Sequence, residues 1–157
     1  MKKSGYRILV EFTLNNNMYD YSKEITDEYS YYRMTSDLTR PDGTPMCFRL
    51  IVDKTGRMML WYCFGYSYDP DDPELFREIN RLNGCIELAK FVSKPNLNKK
   101  LCHIEASYIC DLSFTSFELT DPVKMALASI QLDMTIVSFM TECYNSEIMI
   151  NADDDNE

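Results

Sequence analysis

The chain has 157 residues and a mass of 18.4 kDa, room for one domain and no second. Apolar residues make up 45% and charged residues 26%, which excludes disorder of the whole and collagen-like or low-complexity material. Sixteen Lys plus Arg against twenty-five Asp plus Glu give a net charge of −9, the wrong sign for neutralising phosphates, so no nucleic-acid partner is expected.

The start, Met1-Lys2-Lys3, is basic, but the apolar stretch 8–14 is short, broken by Glu11 and followed by no small-residue cleavage site. No signal peptide is expected. Nor is a membrane span, since no run of about 18 apolar residues occurs. The expected location is cytoplasmic. Residues 6–14 suit a strand or a helix; part of 6–28 inclines to helix, with 23–29 helix-compatible.

Residues 31–38 read as a strand, and Pro41-Asp42-Gly43-Thr44 as a turn with proline presetting φ. Residues 46–53 and 58–64 are β-rich, and Thr55-Gly56 between them supplies the positive φ that a tight hairpin needs. The spacing predicts a three-stranded meander. Asp72 is then a natural N-cap and Pro73 a natural first helical residue. Leu75, Phe76, Ile79 and Leu82 share one helical face and Gly84 supplies a stop, so a helix is expected over about 73–83. Two strands follow, at 86–93 and 100–111, around a turn-rich loop at 94–99. Asp121-Pro122 repeats the cap-and-proline device and opens a last helix over about 122–144. The result is an α+β class, an (α)-β-β-β-α-β-β-α antiparallel sheet with a long C-terminal helix packed on it. Residues 1–150 form the expected single domain. Residues 151–157 carry four acids and read as a disordered tail.

The last helix holds the strongest functional signal. Val123, Ala126, Leu127, Ile130, Met134 and Val137 form one apolar stripe. Met125, Leu132, Ile136, Phe139, Met140 and Cys143 form a second on roughly the opposite side. A helix lying on one sheet needs an apolar stripe of little more than ~100°. Either the N-terminal segment roofs the second stripe, or it is an interface, for which methionines suit an adaptable surface. Met125, Leu132, Ile136, Phe139 and Met140 are therefore candidate protein-binding residues. Eleven tyrosines add Tyr29, Tyr31 and Tyr62 as candidates, since tyrosine suits surfaces half apolar and half wet.

Other chemistry is sparse. Phosphate-binding glycine loops, G-x-S-x-G and H-E-x-x-H are absent. The acids Asp69, Asp71, Asp72 and Glu74 lack the spacing of a calcium loop and are explained by a helix start. Six cysteines in no CxxC pair read as free, mostly buried thiols. The single histidine, His103, has no second histidine or close cysteine pair, so no metal site is expected. Cys102, its neighbour in a strand, points to the other face and forms no Cys–His pair with it. No catalytic residue and no cofactor is expected.

The stretch Glu74-Leu-Phe-Arg-Glu-Ile-Asn-Arg-Leu-Asn-Gly84, carrying Ile79, Asn80, Leu82 and Asn83, gives the chain a resemblance. A meander, this helix, a hairpin and a long C-terminal helix resemble the YbjN family, whose fold is similar to that of type III secretion chaperones. By order of elements the resemblance covers about 30–144. It implies a dimeric α+β domain with no catalytic residues, and chaperone relatives that hold partly unfolded client segments. The reading is a non-enzymatic protein-binding domain, chaperone-like or regulatory, probing a protein partner or client through an apolar surface as a homodimer. A small-molecule-binding module or an uncharacterised enzyme stands as the alternative.

Overall fold

The computed structural model describes residues 5–97, 100–112 and 121–154, with side chains to Ile150. The protein is α+β. Helix α1 (Gly5–Asn16) precedes strands β1 (Asp20–Ile25), β2 (Tyr29–Thr39), β3 (Pro45–Asp53) and β4 (Arg57–Cys63). Helix α2 (Pro73–Cys85), strands β5 (Lys90–Pro95) and β6 (Cys102–Asp111), and helix α3 (Pro122–Asp154) follow. All pairings are antiparallel, in the order β1-β2-β3-β4-β6-β5.

The sheet holds one strand more than the expected meander. Residues 23–25, helix-compatible by propensity, are the end of β1 and pair with the edge of β2, Lys23 opposite Tyr32. Helix α1 stops just before, where Met18 takes a positive φ of 59° and Tyr19 N–H closes on the Leu14 carbonyl at 3.0 Å. An unpaired sheet edge then outweighs a weak local preference. The last helix also exceeds its expected end and runs through Asp154, the fourth residue of the acidic tail. Residues 155–157, and 98–99 of the expected loop, lie outside the described residues.

Strand alternation sends one set of side chains to the core. Tyr32, Met34, Phe48, Leu50, Met58, Leu60 and Tyr62 are buried on the inner face. Tyr32, Leu50, Leu60 and Tyr108 face one another across four strands. Helices α1, α2 and α3 contribute Leu9, Val10, Leu14, Leu75, Leu82 and the inner stripe of α3 to the same core. Phe139 meets Phe48 edge-on, ring centroids 6.2 Å apart.

Polar anchors set how the helices sit. Asp72 caps α2, accepting from Glu74 N–H at 2.9 Å, with Pro73 as first residue. The Asn83 side chain bonds both polar groups of the Phe91 backbone, at 2.8 and 3.0 Å, and so pins α2 to β5. Glu142 of α3 accepts from the Leu88 and Ala89 amides. The Thr13 and Ser129 hydroxyls are hydrogen-bonded to each other at 2.9 Å where α1 crosses α3.

The hairpin turn at Gly56 is tighter than its sequence signal indicates. Its φ is +92°, and a Cβ there would come within 2.7 Å of the Tyr6 ring of α1. Gly43, in the preceding turn, has φ +87° and open space around it. Gly43→Ala is therefore expected to cost about 1 kcal/mol for the backbone alone. Gly56→Ala adds displacement of Tyr6 and is expected to cost about 2 kcal/mol. Urea unfolding of both variants tests the difference; equal costs would mean that Tyr6 does not pack on the turn.

Candidate functional site

The two stripes of α3 exchange the roles expected for them. Met125, Leu132, Ile136, Phe139, Met140 and Cys143 lie in the core, Ile136 and Phe139 with no exposed surface. The candidate binding residues Met125, Leu132, Ile136, Phe139 and Met140 are thus corrected to core residues. The cause is registry along the whole helix. Their face continues through Ser146, Glu147 and Ile150 and spans the sheet, and small Ala128 and Ser129 on it let α1 approach.

The first stripe is left outside. Val123, Leu127, Ile130, Met134 and Val137 are 68, 58, 57, 64 and 46% exposed. Among the described residues nothing covers them. They recur at intervals of four, three, four and three, and Thr141, Tyr144 and Ile148 continue the series. That 3.5-residue period is the narrow a/d seam of helices that pair with helices. The flanking positions Lys124, Gln131, Asp133 and Ser138 carry one charge of each sign, and Tyr19 Oη donates to Asp133 at 2.8 Å. Beside the seam, Phe12 of α1, Asn16, Ala126, Ile130 and Met134 line a groove of about 200 Å³.

By length and composition α3 could also cross a membrane, over Pro122–Ile150, although no uninterrupted apolar run was expected to span one. The inner stripe has another use here, as the core of the sheet.

The candidate tyrosines do not share a surface. Tyr62 is buried on the inner face, where Arg40 Nε donates to its hydroxyl at 2.8 Å. Burial raises the Tyr62 pKa, and the Glu147 charge adds to this. Tyr31 lies on the outer sheet face beside Trp61, ring centroids 5.7 Å apart. Tyr29, two residues earlier in β2, is on that same face at its end.

The outer sheet face also holds a group that spacing along the chain did not reveal. Cys63 of β4 stands opposite Glu105 of β6, and His103 is two residues before Glu105 on the same side. Cys63 Sγ is 3.6 Å from Glu105 Oε2, and His103 Nε2 is 3.4 Å from that oxygen. Burial, with the Glu105 charge, raises the Cys63 thiol pKa, and Arg49, whose Nη1 is 3.5 Å from Sγ, opposes the rise. Forty residues separate Cys63 from His103, and only the β4–β6 register joins them. The six cysteines are free, but only Cys143 is buried, correcting the expectation of mostly buried thiols; Cys85 is exposed and the others are partly covered. Strand cysteines at half-covered positions carry the same sequence signal as core ones.

No known protein family, curated protein or solved structure matches the chain.

Proposed function

We propose that the protein is a non-enzymatic protein-binding domain that works by helix pairing along the outer seam of α3, with a second copy of the chain as first occupant. What supports this is the exposed series Val123, Leu127, Ile130, Met134 and Val137 at coiled-coil spacing. A symmetric pair presents the same apolar seam from both sides, flanked by one charge of each sign, Lys124 and Asp133. A chaperone-like role would place a client's amphipathic helix in the same seam. The YbjN-like and cytoplasmic assignments belong to this proposal too. The small-molecule alternative has less to stand on: the clefts beside Arg40 hold about 220 and 260 Å³, at or below the small end of ligand pockets.

Magnitudes set the expected strength. Covering ten half-exposed aliphatic side chains, five from each copy, gains roughly 10 kcal/mol. Association costs roughly 4–15 kcal/mol. At the low end of that cost the surplus is about 4 to 6 kcal/mol, which corresponds to dissociation constants from about 40 μM to about 1 mM. Sedimentation from about 5 to about 500 μM is expected to show a reversible dimer. Ile130→Asp and Met134→Asp should remain monomeric throughout and melt no lower than the wild-type monomer. A wild-type chain that stays monomeric at the highest concentration would remove the self-pairing.

A further inference from the structure

We propose that Cys63, His103 and Glu105 form a three-ligand site for a zinc-class divalent metal on the outer face of the sheet. The site is independent of the α3 seam, which lies on the other side of the core.

The three donors are a thiol, an imidazole and a carboxylate, the set that suits a borderline-soft ion. Their donor atoms all lie within 4.8 Å of one another. A tetrahedral zinc with usual bond lengths separates a sulfur and an oxygen ligand by about 3.5 Å, and a nitrogen and an oxygen ligand by about 3.4 Å. The observed separations are 3.6 Å for Cys63 Sγ to Glu105 Oε2 and 3.4 Å for His103 Nε2 to Glu105 Oε2. Two edges of the tetrahedron are thus already in place, the sulfur–oxygen one through the β4–β6 register and the nitrogen–oxygen one through the i, i+2 spacing within β6. The third needs Sγ and Nε2 to close by at most about 1.2 Å.

The surroundings prepare the histidine as a ligand. Asn96 Nδ2 can only donate, and it does so to Ser67 Oγ at 3.2 Å. Asn96 Oδ1 therefore faces His103 Nδ1, 2.8 Å away, and must accept from it. With the proton on Nδ1, a neutral His103 presents the Nε2 lone pair towards Glu105 and Cys63. Either a proton or a metal ion can bridge that nitrogen to the carboxylate 3.4 Å away, and the nearby thiol adds the third donor that a metal uses and a proton does not. Metal-bound histidines are held this way, the remote N–H given to an oxygen acceptor. Arg49 Nη1, 3.5 Å from Sγ, supplies an N–H to the thiolate that binding creates.

Binding one ion releases one proton, that of the Cys63 thiol, to solvent. Three protein ligands leave a fourth position for water, and the partial exposure of His103 and Glu105, 21% and 20%, leaves that position reachable.

Cobalt(II), a spectroscopic stand-in for zinc, tests the site on the full reduced chain. One equivalent is expected to give a thiolate-to-cobalt charge-transfer band with strong visible bands of four-coordinate cobalt, both removed by zinc. Cys63→Ser should lose the charge-transfer band, while Cys85→Ser, at the exposed thiol, should keep it. Asn96→Ala should weaken zinc binding about 10- to 100-fold and His103→Gln, which removes a ligand, should weaken it further, with circular dichroism unchanged. Zinc should also shield Cys63, and not Cys85, from alkylation read by mass spectrometry. An unchanged cobalt spectrum in Cys63→Ser, no band at one equivalent, or equal alkylation with and without zinc would overturn the site.

Discussion

Ile136→Asp is expected to lower the melting midpoint sharply, whereas Ile130→Asp, six residues earlier on the same helix, is expected to leave the monomer's melting curve intact. The two positions hold the same residue type on one continuous α3 and differ in what they face. Ile136 has no exposed surface and is part of the common core of sheet and helices. An aspartate there must either be buried as an unpaired charge or open the helix away from the sheet. The cost is about 4 kcal/mol or more, against a total stability of roughly 5–15 kcal/mol for a domain of this kind. Ile130 is 57% exposed and its aspartate points into water. Leu132→Asp should behave as Ile136→Asp does. Thermal melts by circular dichroism separate the cases, and a cooperative transition near the wild-type midpoint in Ile136→Asp would contradict the assignment of the inner stripe.

Glu147→Gln is expected to stabilise the protein at pH 8 by about 2 kcal/mol and to do nothing below about pH 4.5. Glu147 sits on the inner face of α3 with its side chain 3% exposed and Arg40 Nε 3.8 Å from Oε1. Among the described residues its other oxygen, Oε2, accepts no hydrogen bond. Burial pushes its pKa from 4.5 up to about 7, with Arg40 pulling the other way. The folded state therefore holds the proton more tightly than the unfolded chain does. Stability contributed by this group is full below about pH 4.5, falls as pH rises towards about 7, and stays at its reduced level above that. A shift of that size corresponds to about 3 kcal/mol when fully shielded, and solvent in the flanking clefts reduces it to about 2. Arg40 is 26% exposed and still donates to Tyr62 and to the Cys63 carbonyl, so the glutamine does not strand it. Urea unfolding of both proteins between pH 4 and pH 8 measures the difference, in which the depressed carboxylate of Asp53 cancels. Parallel pH profiles would show that Glu147 is no more costly ionised than a surface carboxylate.

Much of the architecture was legible in the chain because its signals are local. Asp72-Pro73 starts a helix through a side chain that caps its own backbone, and the turns at Gly43 and Gly56 need only a positive φ. Period-2 runs in 46–53 and 58–64 identify strands because each strand buries one face. The edge strand β1 was not legible, since its burial is slight and its pairing with β2 is what makes it a strand.

The candidate site divides along the same line. Hydrophobic periodicity by itself determined that α3 carries more apolar circumference than one sheet covers, because the helical angle follows from residue number alone. Which stripe faces the sheet was decided only by tertiary packing. That choice depends on how Phe139 fits Phe48 and how α1 crosses at Ser129, contacts between residues far apart in the chain. The meeting of Cys63 with His103 and Glu105 is likewise a product of the β4–β6 register. Strand pairing brings distant residues to ångström range, and spacing along one strand holds no record of its neighbour.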